Sequence, residues 1–225
     1  MGSGQVLING ITGERGSGTP VSDRPTYQDL SGFCVLLFGG HSGMEGEPPS
    51  MNDKREMLCH FLATLAYRVT KALREAPADF PNFRIAPQVR TPHELVCHIT
   101  NVLGFGRTYF VGGSWPSRVP TKFDSDITAF YEILAELSKK LQKGSPLFGT
   151  TEERLLQGPF SDAMTHAGQL AMLRRLAGSP IRPENFIMAS IQTDNVGPDQ
   201  PPAAAPDREW PEGPEAPPGS QSSKA

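Results

Sequence analysis

The chain has 225 residues and a formal net charge of -3 at pH 7, enough for one domain with a real core plus extensions. A slightly acidic chain with no long basic block lacks the electrostatic footprint of a nucleic-acid binder, and it has no run of roughly 18 apolar residues to span a membrane. The opening MGSGQVLING has no charged stretch leading into an apolar one, so no secretory signal is read there, and three cysteines (Cys34, Cys59, Cys97) without a CxxC or an even framework fit a reducing cytoplasm.

Composition shifts twice along the chain. The first fifty residues hold 11 of the 23 glycines, and residues 1–50 are read as a Gly-rich, mostly disordered extension. Its FCVLLF run is a short strand or an apolar patch. Met51 opens MNDKREML, which looks like a natural protein start, as if the stretch before it were an over-long gene model. GERGSGTP places two glycines five apart as a phosphate loop does, yet lacks the lysine after the second and any flanking strand and helix. From Gln192 onward there are eight prolines and few large apolar residues. Such chain cannot bury enough surface to offset its entropy, so residues 191–225 are read as a Pro-rich disordered tail.

Residues 51–190 are helical by period. The first helix carries Leu58, Phe61, Leu62, Leu65, Ala66, Val69 and Leu73 at spacings of three and four. The second opens with Thr91-Pro92-His93-Glu94, a capping box with proline in the first turn. It continues through Leu95, Ile99, Val102, Phe105 and Tyr109. The third starts near Ser125, carries Ile127, Phe130, Tyr131, Leu134, Leu137 and Leu141, and stops before KGSP. Thr150 with Glu153 forms a second capping box, opening a stretch that Pro159 kinks or splits. The last helix holds Ala163, Ala167, Leu170, Leu173 and Ala177. Arg174 and Arg175 lie in its final turn, with Gly178 and Pro180 after it. Four long amphipathic segments with few strand signals predict an all-α four-helix bundle. The long connections 74–91 and 110–124 favour at least one crossover.

The polar residues on the apolar faces raise the functional question. At about 100° per residue, His93 and His60 point away from their stripes and are read as solvated; His41 carries no signal. His98 lies between Leu95 and Val102, and His166 between Ala163 and Leu170, with Asp162 one turn earlier. A histidine on a packed face is often a hydrogen-bonded core residue, and Asp162 would serve equally as a helix cap or an i, i+4 partner of His166. Taken together, however, two imidazoles and a carboxylate from two helices make a facial three-ligand set for a divalent metal with open positions. An inward carboxylate would also need a cation nearby. Cys97 points about 100° away from His98 and is not enlisted. Gln169 is placed on the flank of the same face, and Arg107 and Tyr109 toward the pocket mouth. No separate catalytic acid or base is assigned.

RTPHELVCHITNV followed much later by DAMTHAGQLAMLRRLAGSP resembles the DinB-like (DinB/YfiT) family of metalloenzymes. The residues that carry the resemblance are His98, His166 and Gly168-Gln169. It implies a bundle of down-up-up-down topology over residues 51–190 and a site that is usually three histidines; Asp162 stands at one of those positions here. It further implies nickel, zinc, iron or manganese, with the carboxylate shifting preference toward harder metals. The expected activity is thiol-dependent transferase or isomerase chemistry on a small molecule, with a low-molecular-weight thiol, or else metal-assisted hydrolysis. The alternative is a metal-free, non-catalytic bundle acting as a binding or scaffold protein. Met164, Met172 and Leu176, on the far side of the last helix, suggest a second buried surface: a homodimer contact, or cover by ENFIMASI.

Overall fold

The structure, a computed structural model, describes residues 51–204. The expectations for residues 1–50 and 205–225 lie outside the described residues. The described part contains helices α1 (Met51–Leu73), α2 (Pro92–Val111), α3 (Phe123–Gln142), the single turn α4 (Glu152–Leu155) and α5 (Ser161–Leu176), and no strand. Among the described residues no helix is long and apolar enough to cross a membrane.

Local chemistry sets the helix ends. The Glu94 amide donates to Thr91 Oγ1 (3.2 Å) and the Thr91 amide to Glu94 Oε2 (2.7 Å). The expected capping box at α2 is therefore formed. α3 begins two residues before Ser125, because the Asp126 carboxylate reaches back to accept from the Thr121 amide at 2.8 Å. At α4 the cap is Thr151, not Thr150: its hydroxyl accepts from the Arg154 amide at 3.3 Å. Between α4 and α5 the chain makes a wide turn over Leu156–Phe160, with Gly158 at non-helical dihedrals (φ -93°, ψ -106°) and Pro159 next. Proline cannot donate into the ladder, so the axis bends there before α5 resumes.

α1 and α2 each pack against both α3 and α5. The core between them holds Leu62, Leu65 and Val69 from α1, Ile99 and Leu103 from α2, Phe130, Leu134, Leu137 and Leu141 from α3, and Leu170 from α5. Each such side chain contributes about 1.5–3 kcal/mol by leaving water. Phe160, fully buried at the bend, lies nearly parallel to Phe61 with ring centroids 6.4 Å apart.

The buried face of α2 differs from the expected one. Leu95 and Ile99 are buried, but Val102 is half-buried and Phe105 is 53% exposed. Instead Val96, Thr100, Leu103, Gly104, Gly106 and Phe110 face inward, a rotation of about one residue step, roughly 100°. The glycines explain it. A Cβ at Gly104 would lie 2.1 Å from the Trp115 indole, and one at Gly106 would lie 3.2 Å from Pro159. Trp115 and Pro159 thus approach α2 where it has no side chain to register in an apolar stripe.

Arg174 is 4% exposed. Its guanidinium donates to the Ala72 and Arg74 carbonyls, both at 3.0 Å, and to Ser179 O at 2.9 Å. One side chain thus satisfies the free carbonyls at the end of α1 and fixes the chain after α5. Arg174→Met is expected to lower stability by about 2–3 kcal/mol, read from the urea midpoint. A shift under a quarter of that would mean that water replaces the guanidinium without loss.

Residues 191–204, which composition assigns to a disordered tail, pack along the helices. Val196 is buried; Gln200 Nε2 donates to Gly197 O (2.8 Å) and Asn195 O (3.1 Å); Arg74 Nη2 donates to Gln200 O (2.6 Å). Side-chain-to-backbone bonds hold this segment, and a count of apolar residues does not see them. Farther back, the Glu184 carboxylate is buried. It accepts from Tyr67 Oη, Lys71 Nζ and the Ala204 amide.

Candidate metal centre

α2 and α5 bring together the three side chains the sequence singles out. Donor atoms of His98, Asp162 and His166 all lie within 4.8 Å of one another. The imidazoles of His98 and His166 meet edge to face, centroids 4.5 Å apart. His166 Nε2 stands 3.3 Å from Asp162 Oδ1 across one turn of α5. Rotation of the α2 face puts His98 at the rim of the core, half-buried, rather than within the apolar band. His166 is buried, whereas the Asp162 side chain is 51% exposed. The cluster therefore has a packed inner side and a wet outer one. Asp162 does not turn inward, and solvent lowers the cost of its charge.

Gln169 fixes the ring of His166. Its Oε1 lies 2.8 Å from His166 Nδ1. In the tautomer with the proton on Nδ1, that nitrogen donates to Gln169 Oε1 and Nε2 is left to ligate a metal. For His98, burial, then Arg90 and His166, pull the imidazole below its ordinary pKa, against a smaller opposite pull from Asp162. Its neutral form, the one that donates to a metal, prevails at neutral pH.

The donor set fits a first-row divalent ion in type and nearly in distance. Two N or O ligands at about 2.1 Å from one centre are at most about 4.2 Å apart. The His166–Asp162 distance of 3.3 Å already satisfies this. Any donor pair near the 4.8 Å limit of the group would have to close by about half an ångström to share one ion, a movement left to the exposed Asp162 and the half-buried His98.

Two expected lining residues lie elsewhere. Tyr109 is eleven residues beyond His98, about 16 Å along the axis, and packs on Phe105 (centroids 5.3 Å). Arg107 forms an ion pair with Glu136 of α3 across 2.7 Å. Neither joins the cluster.

His93, expected in solvent, is turned toward α3 by the same rotation of α2. Its side chain is 14% exposed and its Nε2 lies 2.9 Å from Asp126 Oδ2. Donor atoms of Cys97, the residue one turn on, complete a second group with His93 and Asp126 within 4.8 Å. That i, i+4 pair was visible in the sequence; its acidic partner from α3 was not. The carboxylate is already saturated. Oδ1 accepts from Arg118 Nη2 (3.0 Å), and Oδ2 from the Thr121 amide (2.8 Å) and hydroxyl (3.2 Å), besides its contact with His93. Burial, then the Asp126 charge, pushes the Cys97 thiol up to about 12. With its carboxylate facing a guanidinium, an imidazole and Thr121, this group makes a clasp between α2, α3 and the intervening loop.

The chain matches no family model, no curated protein and no solved structure.

Proposed function

We propose that His98, Asp162 and His166 hold one divalent metal ion and that the protein is a metal-dependent enzyme of the DinB-like kind. In this reading the four long helices form a down-up-up-down bundle, and the substrate is a small molecule. One observation carries the proposal: donor atoms of the right types converge from α2 and α5 within 4.8 Å. A bound divalent ion supplies Lewis acidity, lowering the pKa of a water or thiol on its open side.

The chain's own residues supply the rest. His98 and His166 form the packed wall of the site. Asp162 stands on the solvent side, where a small substrate and a thiol enter. Gln169 holds the His166 ring in its ligating tautomer. The carboxylate favours zinc, iron, manganese or nickel over softer ions. Thiol-dependent transfer or isomerisation is the first chemistry to test, and hydrolysis the second.

Metal content measured on purified wild-type protein is expected to approach one equivalent, and to fall to background in Asp162→Ala and His166→Ala. Gln169→Leu is expected to retain the fold while weakening metal binding about 10- to 100-fold. Equal, near-zero metal in wild type and both alanine variants would leave the metal-free binding or scaffold protein instead. Activity against electrophiles with and without cellular thiols then separates transfer from hydrolysis.

A further inference from the structure

The opposite side of α5 carries a second feature. A cleft of about 390 Å³ lies between α1, α5 and the chain that follows α5. Positions 167, 168, 171 and 175 of α5 face it, roughly half a turn from His166 and Gln169. Its floor is Ala167, Gly168 and Ala171, and Phe186 stands on one wall. The charges are one-sided: Arg68, Lys71, Arg175 and Arg182 line it, against Glu184 alone. Glu184 is ion-paired with Lys71 and also accepts from Tyr67 and the Ala204 amide, so Arg68 and Arg182 are the cations the cleft offers an anion. The Arg68 guanidinium carbon sits over the Phe186 ring, 3.8 Å from the centroid. Its Nε is cut off from solvent without a hydrogen-bond partner. Since the Nε is closed to solvent, an anion in the cleft would meet this guanidinium through its outer nitrogens.

We propose that this cleft binds a small organic carboxylate, its charged end held by the guanidinia of Arg68 and Arg182 and its apolar body lying over Gly168 and Phe186. Guanidinia match planar carboxylates bidentately. The volume falls in the range of small-molecule sites, and the glycine floor admits a flat ring.

Benzoate is the probe, titrated at low salt into metal-stripped protein, so that coordination to the His98–Asp162–His166 centre cannot contribute. Saturable binding with a Kd of about 1 mM or below is expected, with a shift of the Gly168 amide resonance. Arg182→Gln, at an exposed residue, is expected to weaken binding at least about fivefold. Gly168→Leu is expected to abolish it without unfolding the protein, since a Cβ there meets nothing within 4 Å. Asp162→Ala is expected to leave it unchanged. The proposal is overturned by absence of saturable benzoate binding, by binding that neither cleft variant weakens, or by inorganic phosphate binding as tightly as benzoate, which would give the apolar floor no part. Loss of benzoate binding in Asp162→Ala would also overturn it, because a residue on the far side of α5 would then govern the binding.

Discussion

Asp126→Ala is expected to destabilise the protein by about 3–5 kcal/mol, the usual cost of removing one partner from a buried charged network. The side chain is 1% exposed. Its loss leaves the His93 ring without its carboxylate and releases the exposed Arg118 and Thr121 to solvent in one step. It also frees the loop before α3. The same network makes stability depend on acid. Burial alone would raise the Asp126 pKa, but the bonds from the Thr121 amide, His93 and Arg118 outweigh it and hold the carboxyl well below the usual carboxylate range. A depressed folded pKa means that the unfolded chain takes up the proton first. The stabilisation is therefore complete above the ordinary Asp value of about 3.9 and drains away as pH falls below it. Urea denaturation at pH 7, 5 and 3 reads both effects. Wild type should lose stability between pH 5 and 3 more steeply than the variant. A variant within 1 kcal/mol of wild type at pH 7 would show that the clasp is ornamental.

Phe160→Ala is expected to cost a similar amount, about 3–5 kcal/mol, through lost transfer energy and the void left behind. Its ring is fully buried beside Phe61 and ends the bend made by Gly158 and Pro159. Asp162 and His166 follow within two turns, so a slack bend also loosens the carboxylate against the imidazole. The variant should show a lower denaturation midpoint and weaker metal binding. Phe160→Leu, which keeps most of the volume, should restore much of both. Unchanged stability in Phe160→Ala would mean that α5 is positioned from its other end, by Arg174.

How far these features were legible in the sequence depends on which groups do the holding. α1, α3 and α5 are bound by large apolar side chains, so their faces follow from spacing alone. α5 in particular buries Ala163, Ala167, Leu170 and Leu173 as its stripe requires. α2 is bound partly through Gly104 and Gly106, where Trp115 and Pro159 approach it, and a hydrophobic period is blind to contact with a missing side chain. Its face was therefore read about one residue off. That error hid the inward turn of His93 and placed His98 too deep, although its partnership with His166 survived. Residues 191–204 escaped for a related reason. They are fastened by Asn195, Gln200 and Arg74, polar groups whose value depends on what they meet.

The buried carboxylate of Glu184 has a consequence for synthesis. Its partners Tyr67 and Lys71 lie 117 and 113 residues earlier in the chain, and Arg174 reaches back 102 residues to the Ala72 carbonyl. α1 leaves the ribosome first, with a phenol, an ammonium and a frayed end that only much later chain can satisfy. It waits while α2, α3 and α5 are translated, and it is sealed only when the stretch after α5 arrives. Nascent chains halted before Glu184 emerges should stay open to protease within the second half of α1.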